Sequence, residues 1–154
     1  MTNIVAYPVE YGQRHVVLVV ESEPGASRFL CDHLRRLGFH AASVAQSQEA
    51  QRLIALGITF DIVVSDIGLA HGLRLAHWVM DRAPNLPLVL IAPDIHPVKD
   101  LLCGAEIFAK PYALGALARK IRDTLARNRP RQVKKPKRHW QAGALLPFAR
   151  GLRV

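Results

Sequence analysis

The chain has 154 residues and 50% of them are hydrophobic, which predicts one domain with an extension and enough apolar side chains for a core. The net charge of +9 belongs to one end: residues 1–126 carry 12 basic and 12 acidic side chains, whereas the residues from Arg127 onward carry 9 basic and no acidic ones. No apolar run approaches the roughly 20 residues that span a bilayer, and the N-terminus lacks the pattern of a signal peptide, so we expect a cytoplasmic protein.

Five short apolar runs predict β-strands. The first run is continuous, which is typical of a strand buried on both faces. Pro87 stands at the start of the fourth run, where a missing backbone donor is tolerated. The predicted strands cover residues 16–20, 40–44, 61–65, 86–92 and 106–109.

Helical periodicity alternates with these strands. Pro24 fits the first turn of a helix that Gly38 ends, and Ser47 is a candidate cap for the next helix. Residues 96–103 allow two helical turns at most. The predicted apolar faces are Phe29, Leu30, His33, Leu34 and Leu37; Ala50, Leu53, Ile54 and Gly57; Leu73, Ala76, His77 and Met80; and Leu114, Leu117, Ala118, Ile121 and Leu125.

A strand–helix alternation repeated five times predicts an α/β fold, a doubly wound parallel sheet with helices on both faces. Residues 1–13 are expected to be a lead-in, residues 14–127 the domain, and residues 128–154 a basic, flexible tail. The tail also holds a short uncharged run at residues 144–148, which its proline makes unsuitable as a domain of its own.

Charged residues follow three of the predicted strands. Glu21 follows the first strand, Asp66 the third and Lys110 the fifth. Because parallel strands bring their carboxyl ends to one edge of the sheet, where open α/β folds keep their ligand sites, we expect these three side chains to share one pocket.

Three motifs at these strand ends resemble the receiver domain of two-component response regulators. They are VLVVESEP at residues 17–24, IVVSDI at residues 62–67 and FAKP at residues 108–111, and the resemblance covers residues 14–127. It implies the flavodoxin-like strand order 2-1-3-4-5. It also implies phosphoryl transfer from the histidine of a sensor kinase to an aspartate of this chain.

The resemblance assigns a role to each residue at the sheet edge. Asp66 is the expected phosphoacceptor, and Lys110 the expected partner of its carboxylate or phosphate. Glu21, Asp66 and the backbone carbonyl of Gly68 are the expected Mg²⁺ ligands. The bond between Lys110 and Pro111 is expected to be cis. Beyond self-phosphorylation from a phosphodonor and autodephosphorylation, no enzymatic activity is expected.

The sequence departs from the family pattern where the pattern supplies metal and switch groups. Ser22 stands where the family has a carboxylate that binds the metal directly, and a neutral hydroxyl is a poorer ligand for Mg²⁺. Ala92 stands where the family has the threonine or serine whose hydroxyl forms a hydrogen bond with the phosphate and drives the switch. The helix between the fourth and fifth strands is shortened. These changes predict weak or absent Mg²⁺ binding and an atypical receiver.

Two alternatives to a phosphorylated receiver stay open. One is a phosphorylation-independent module that binds a signalling protein or forms a homodimer. The other is association of the basic tail with nucleic acid or an anionic surface, although the tail is too short to build a helix-turn-helix. The candidate tail residues are Arg127, Arg129, Arg131, Lys134, Lys135, Lys137, Arg138 and Trp140, the last of which could stack on a base.

Overall fold

The computed structural model describes residues 14–66, 68–93 and 105–128. The predicted lead-in, the short helix expected at residues 96–103 and the tail from residue 129 onward lie outside the described residues. The strands are β1 (Val16–Glu21), β2 (His40–Val44), β3 (Ile62–Asp66), β4 (Leu88–Ala92) and β5 (Glu106–Ala109). The helices are α1 (Pro24–Arg36), α2 (Ser47–Ala55), α3 (Leu69–Arg82) and α4 (Leu114–Arg127).

All five strands lie in one parallel sheet with the order β2-β1-β3-β4-β5, which confirms the predicted topology. The register of the central pair places Glu21 of β1 beside Asp66 of β3. The register of β4 and β5 places Ala92 beside Ala109. The last residues of these strands therefore lie at the same edge of the sheet.

Each strand contributes side chains to two hydrophobic cores, one on either face of the sheet. In β1, Val17 and Val19 pack beneath α1 and α4, whereas Leu18 and Val20 pack beneath α2 and α3. Because successive side chains of a strand point to opposite faces, a strand covered on both sides is apolar at nearly every position. The continuous apolar runs in the sequence follow from this arrangement.

The signals that begin and end the first helix are confirmed. Pro24 lies in the first turn of α1, and Gly38 follows the helix with a φ of 93°, a left-handed conformation that favours glycine. The cap predicted for the second helix is wrong. Gln46 is the N-cap residue of α2, and Ser47 lies in its first turn, where its hydroxyl donates a hydrogen bond to the carbonyl of His71 at 3.3 Å.

Two predicted helix faces are rotated relative to the structure. Phe29 is 65% exposed, while Cys31 takes its place in the core beneath α1. His77 is exposed on α3, and Leu75 and Val79 are buried instead. An amphipathic pattern fixes the width of an apolar stripe, but its centre is decided by packing.

The predicted face of α4 agrees with the structure, as do Ala50, Leu53 and Ile54 of α2, whereas Gly57 lies beyond the end of α2 and is exposed. The predicted strand bounds need three small corrections. Strand β1 includes Glu21. Strand β4 begins at Leu88, so Pro87 precedes it, and the carbonyl of Pro87 accepts a hydrogen bond from Val63 at 3.0 Å. Strand β3 includes Asp66 and excludes Asp61. Among the described residues, no helix is both long and apolar enough to cross a membrane.

Candidate phosphoacceptor pocket

The structure brings together the three charged residues that the sequence placed at the sheet edge. Lys110 follows β5, and its Nζ lies 2.7 Å from Oδ1 of Asp66, the last residue of β3. The Asp66 side chain is 11% exposed and that of Lys110 is 44% exposed, so the carboxylate is largely shielded while the ammonium keeps contact with solvent. This ion pair places a positive charge directly against the Asp66 carboxylate.

Glu21 forms the inner wall of the pocket beside Asp66. It is 8% exposed, and its Oε1 accepts a hydrogen bond from the backbone N–H of Glu23 at 2.8 Å. Burial raises the pKa of Glu21, and the adjacent Asp66 carboxylate raises it further, whereas the Glu23 N–H and Lys110 lower it. The pair of carboxylates is therefore an unfavourable concentration of negative charge that a cation would relieve.

Glu23 is a third acidic residue near the pocket, but its carboxylate is used elsewhere. It is the N-cap residue of α1 and accepts the backbone N–H groups of Gly25 at 2.8 Å and of Ala26 at 2.5 Å. These hydrogen bonds lower the pKa of Glu23. Since both oxygens bind the start of the helix, Glu23 does not replace the carboxylate that Ser22 lacks.

The carbonyl of Gly68 has partners within α3. It accepts the backbone N–H groups of His71 at 3.0 Å and of Gly72 at 3.2 Å, because Gly68 is the N-cap residue of this helix. A carbonyl that begins a helix points along the helix axis, away from groups that precede the N-terminus. This orientation weakens the case for Gly68 as a metal ligand, a role that stays a prediction.

Ala92 is buried at the end of β4 and contributes to the pocket through its backbone. Its side chain is 1% exposed and carries no polar atom, and its carbonyl accepts the backbone N–H of Lys110 at 2.9 Å. This hydrogen bond fixes the start of the turn that carries the Lys110 ammonium. The following bond, between Lys110 and Pro111, is cis, as the resemblance implied.

Tyr112 belongs to the surroundings of the pocket and was not singled out in the sequence. Its ring packs edge-to-face on Phe108, with centroids 5.5 Å apart. Burial, followed by the negative charges of Asp66 and Glu21, raises the pKa of Tyr112 to about 12. The aromatic residue two positions after Lys110 was the available signal. Its hydroxyl stays protonated at neutral pH.

The pocket offers a divalent cation two carboxylates. In the part of the chain that the structure describes, no group of three or more His, Cys, Asp or Glu side chains is arranged to hold a metal ion. Mg²⁺ commonly binds through one or two carboxylates and keeps several waters. The two carboxylates of Glu21 and Asp66 are therefore ligands of the type and number that this ion uses. A cation bound there would share the Asp66 carboxylate with the Lys110 ammonium.

Among the candidate tail residues, the structure describes Arg127 alone. Its guanidinium pairs with Oε1 of Glu106, and Lys120 Nζ lies 2.6 Å from the other oxygen of that carboxylate. The guanidinium of Arg127 is therefore paired with a carboxylate of β5, which leaves it less available to an anionic ligand. Nucleic-acid binding by the tail stays a prediction. Binding of duplex DNA that weakens with salt and is lost when residues 129–154 are deleted would support it.

Comparisons with known proteins agree with the geometry. No family model matches the sequence, and no curated protein matches it. Among solved structures, a response regulator receiver protein from Sinorhizobium medicae is 21% identical and covers 75% of this chain and 98% of its own, with a TM-score of 0.69. The signal receiver domain of a histidine kinase from Syntrophus aciditrophicus is 26% identical and covers 84% of this chain and 99% of its own, with a TM-score of 0.65.

A third structure is a response regulator from Thermotoga maritima in complex with Mg²⁺ and BeF. It is 22% identical and covers 71% of this chain and 98% of its own, with a TM-score of 0.63. The three comparisons extend over nearly the whole length of each receiver. From its strand order and these similarities, the chain has the fold of a response-regulator receiver domain.

Proposed function

We propose that this chain is the receiver module of a phosphorelay in which Asp66 accepts a phosphoryl group from a histidine of a sensor kinase. The contact of 2.7 Å between Lys110 and Asp66 carries the proposal, because it sets a shielded carboxylate and a cation together at the carboxyl edge of a receiver fold. An acceptor needs both a nucleophilic oxygen and a positive group for the incoming phosphate.

The transfer itself requires few groups of the protein. A carboxylate oxygen of Asp66 forms a bond to phosphorus while the bond from phosphorus to the donor atom breaks, and the electron pair of that bond leaves with the donor. Lys110 moves its contact from the carboxylate to the phosphoryl oxygens. Glu21 and Asp66 would hold a Mg²⁺ ion, which would supply further positive charge to those oxygens.

We further propose that Mg²⁺ binding is weak in this receiver and that the response to phosphate is reduced. Ser22 carries no charge, the Glu23 carboxylate caps α1, and the Gly68 carbonyl begins α3. Ala92 has no hydroxyl that could form a hydrogen bond with a phosphoryl group on Asp66. The pocket thus keeps the acceptor and the lysine but has fewer groups that couple phosphorylation to a change of shape.

The second candidate function is a phosphorylation-independent module that binds another signalling protein. One observation favours it: the Lys110 ammonium contacts the Asp66 carboxylate directly, and both this ion pair and the Ala92 hydrogen bond hold the turn after β5 in place. A pocket fixed in this way presents one constant surface to a partner.

Phosphorylation by a small donor separates the two candidates. The chain is incubated with acetyl phosphate over a range of Mg²⁺ concentrations, and the intact mass is measured. We expect one phosphoryl adduct, most abundant at high Mg²⁺, that is absent from Asp66→Ala. The control is Asp61→Ala, which removes an aspartate just before the opposite end of β3 and should retain the adduct. The lack of any adduct at saturating donor and Mg²⁺ would leave only the second candidate.

A further inference from the structure

A cavity of about 340 Å³ lies beside β2, the outermost strand of the sheet, near the first residues of β1 and β2. Small-molecule sites range from roughly 300 to 1,000 Å³, so this cavity has room for a small ligand. Three basic residues, Arg14, Arg35 and His40, line it together with apolar side chains of β1 and β2 and the ring of Phe39. None of the described residues in the lining is acidic.

Both arginines of the cavity have donors that a ligand can use. Arg35 donates from Nη1 to Asp32 at 3.0 Å and from Nη2 to the carbonyl of Ala41 at 2.7 Å. Because a guanidinium has several further N–H donors, these two contacts hold Arg35 in position and leave other donors for a ligand. Arg14 is exposed, and its guanidinium forms no hydrogen bond or ion pair with another described residue.

Two carboxylates near the cavity leave part of its positive charge unbalanced. Asp32 pairs with Arg35. Asp61 accepts the backbone N–H of Val16 at 2.6 Å and lies 3.7 Å from Nδ1 of His15. Neither carboxylate pairs with Arg14, whose side chain therefore supplies a positive charge that a bound anion would balance.

The backbone of β2 argues against a peptide strand as the occupant. The N–H of His40 donates to the carbonyl of His15 at 2.9 Å, so the next residue of this parallel strand, Ala41, directs its N–H and C=O away from β1. Arg35 occupies this outward carbonyl, which blocks one of the hydrogen bonds that an added strand would need. The N–H of Ala41 points to the same side, where it can donate to a ligand oxygen.

We propose that this cavity binds the phosphoryl group of a small phosphorylated compound. Donors reach it from the residues before β1, from α1 and from β2, and the tetrahedral oxygens of a phosphate accept hydrogen bonds from several directions at once. The apolar wall, which includes Val16 and Phe39, would contact the uncharged part of the ligand. The cavity lies near the starts of the strands, whereas Asp66 lies at the carboxyl edge, so binding here does not depend on the phosphoacceptor.

Amide signals of β2 report on the cavity separately from the basic tail. The full-length ¹⁵N-labelled chain is titrated with pyrophosphate at constant ionic strength, and the shifts of the Ala41 and Ala42 amides give the Kd. We expect saturable shifts, and a Kd that Arg14→Gln raises about fivefold. The control Arg82→Gln removes the same charge from an exposed site on α3 and should leave the Kd unchanged. The absence of saturable shifts in the wild type, or equal weakening by the two variants, would overturn the proposal.

A second pair of variants adds a negative charge instead of removing a positive one. Ala42 is exposed in the wall of the cavity, so Ala42→Glu is expected to repel the anion and abolish the shift of the Ala41 amide. Gln48→Glu, which adds the same charge at an exposed site in the first turn of α2, is expected to retain it. Retained binding in Ala42→Glu would refute the site. Duplex DNA that shifts these amides where pyrophosphate does not would assign the basic residues to nucleic acid and refute the small ligand.

Discussion

Restoring a carboxylate at residue 22 is the change that most strongly alters the metal affinity expected of the pocket. Ser22 directly follows Glu21, which lies beside Asp66 in the register of β1 and β3. Ser22→Asp would therefore add a third carboxylate at the same sheet edge. Its backbone is already in place, since Glu23 caps α1 immediately afterwards.

The size of the effect follows from Coulomb's law. At an effective dielectric constant of about 20, two unit charges 4 Å apart interact by roughly 4 kcal/mol before the cost of desolvation. If a third of this remains, the gain is about 1.4 kcal/mol, or about tenfold in affinity. We therefore expect Ser22→Asp to tighten Mg²⁺ binding by about tenfold or more.

Isothermal titration of Mg²⁺ into the wild type and the variant measures this gain. Thr59→Asp is the control for added charge, because it also replaces a hydroxyl with a carboxylate. Thr59 is exposed in the loop before β3, at the opposite edge of the sheet, so this variant is expected to leave the affinity unchanged. The reasoning fails if Ser22→Asp binds Mg²⁺ no more tightly than the wild type, or if Thr59→Asp gains as much.

Three further changes test the packing and the charges of the domain. Lys110→Met should lower the free energy of unfolding, measured in urea without metal, by about 1 kcal/mol. The control Arg82→Met should lower it less, because the ion pair of Arg82 with the neighbouring aspartate is exposed. Equal losses in the two variants would contradict this. Glu21→Gln should raise the free energy of unfolding at pH 8 and leave it unchanged at pH 4. The reason is that folding raises the pKa of Glu21, so the ionised carboxylate costs stability above that pKa. A loss of stability at pH 8 would count against a buried charge at Glu21. Leu117→Ala should lower the free energy of unfolding by about 2–5 kcal/mol, whereas Leu56→Ala, at an exposed position, should lower it by less than about 0.5 kcal/mol. Similar losses in the two variants would contradict the burial of Leu117 in the core.

The fold and the position of the pocket could be predicted because both depend on simple periodicities. Continuous apolar runs mark strands covered on two faces, and the residue after such a run falls at the carboxyl edge. These two patterns are sufficient to place Glu21, Asp66 and Lys110 together. Their distances and burial came only from the structure, since these depend on the turn after β5, which begins with the hydrogen bond from Lys110 to the carbonyl of Ala92.

Other features depend on competition between partners, which a sequence does not reveal. Glu23 offers the same carboxylate to a metal or to the backbone of α1, and the helix takes it. The Gly68 carbonyl is drawn into α3 because that helix begins directly after it. Phe29 matches the period of the buried face of α1, yet packing turns it to solvent.

Mapping the phosphorylated residue tests the central proposal most directly. After incubation with acetyl phosphate and Mg²⁺, borohydride reduction converts an aspartyl phosphate to homoserine, which peptide mass spectrometry locates in the sequence. We predict homoserine at residue 66 and at no other aspartate. Homoserine at another aspartate, or none at any aspartate despite saturating donor, would contradict the assignment of Asp66 as the phosphoacceptor.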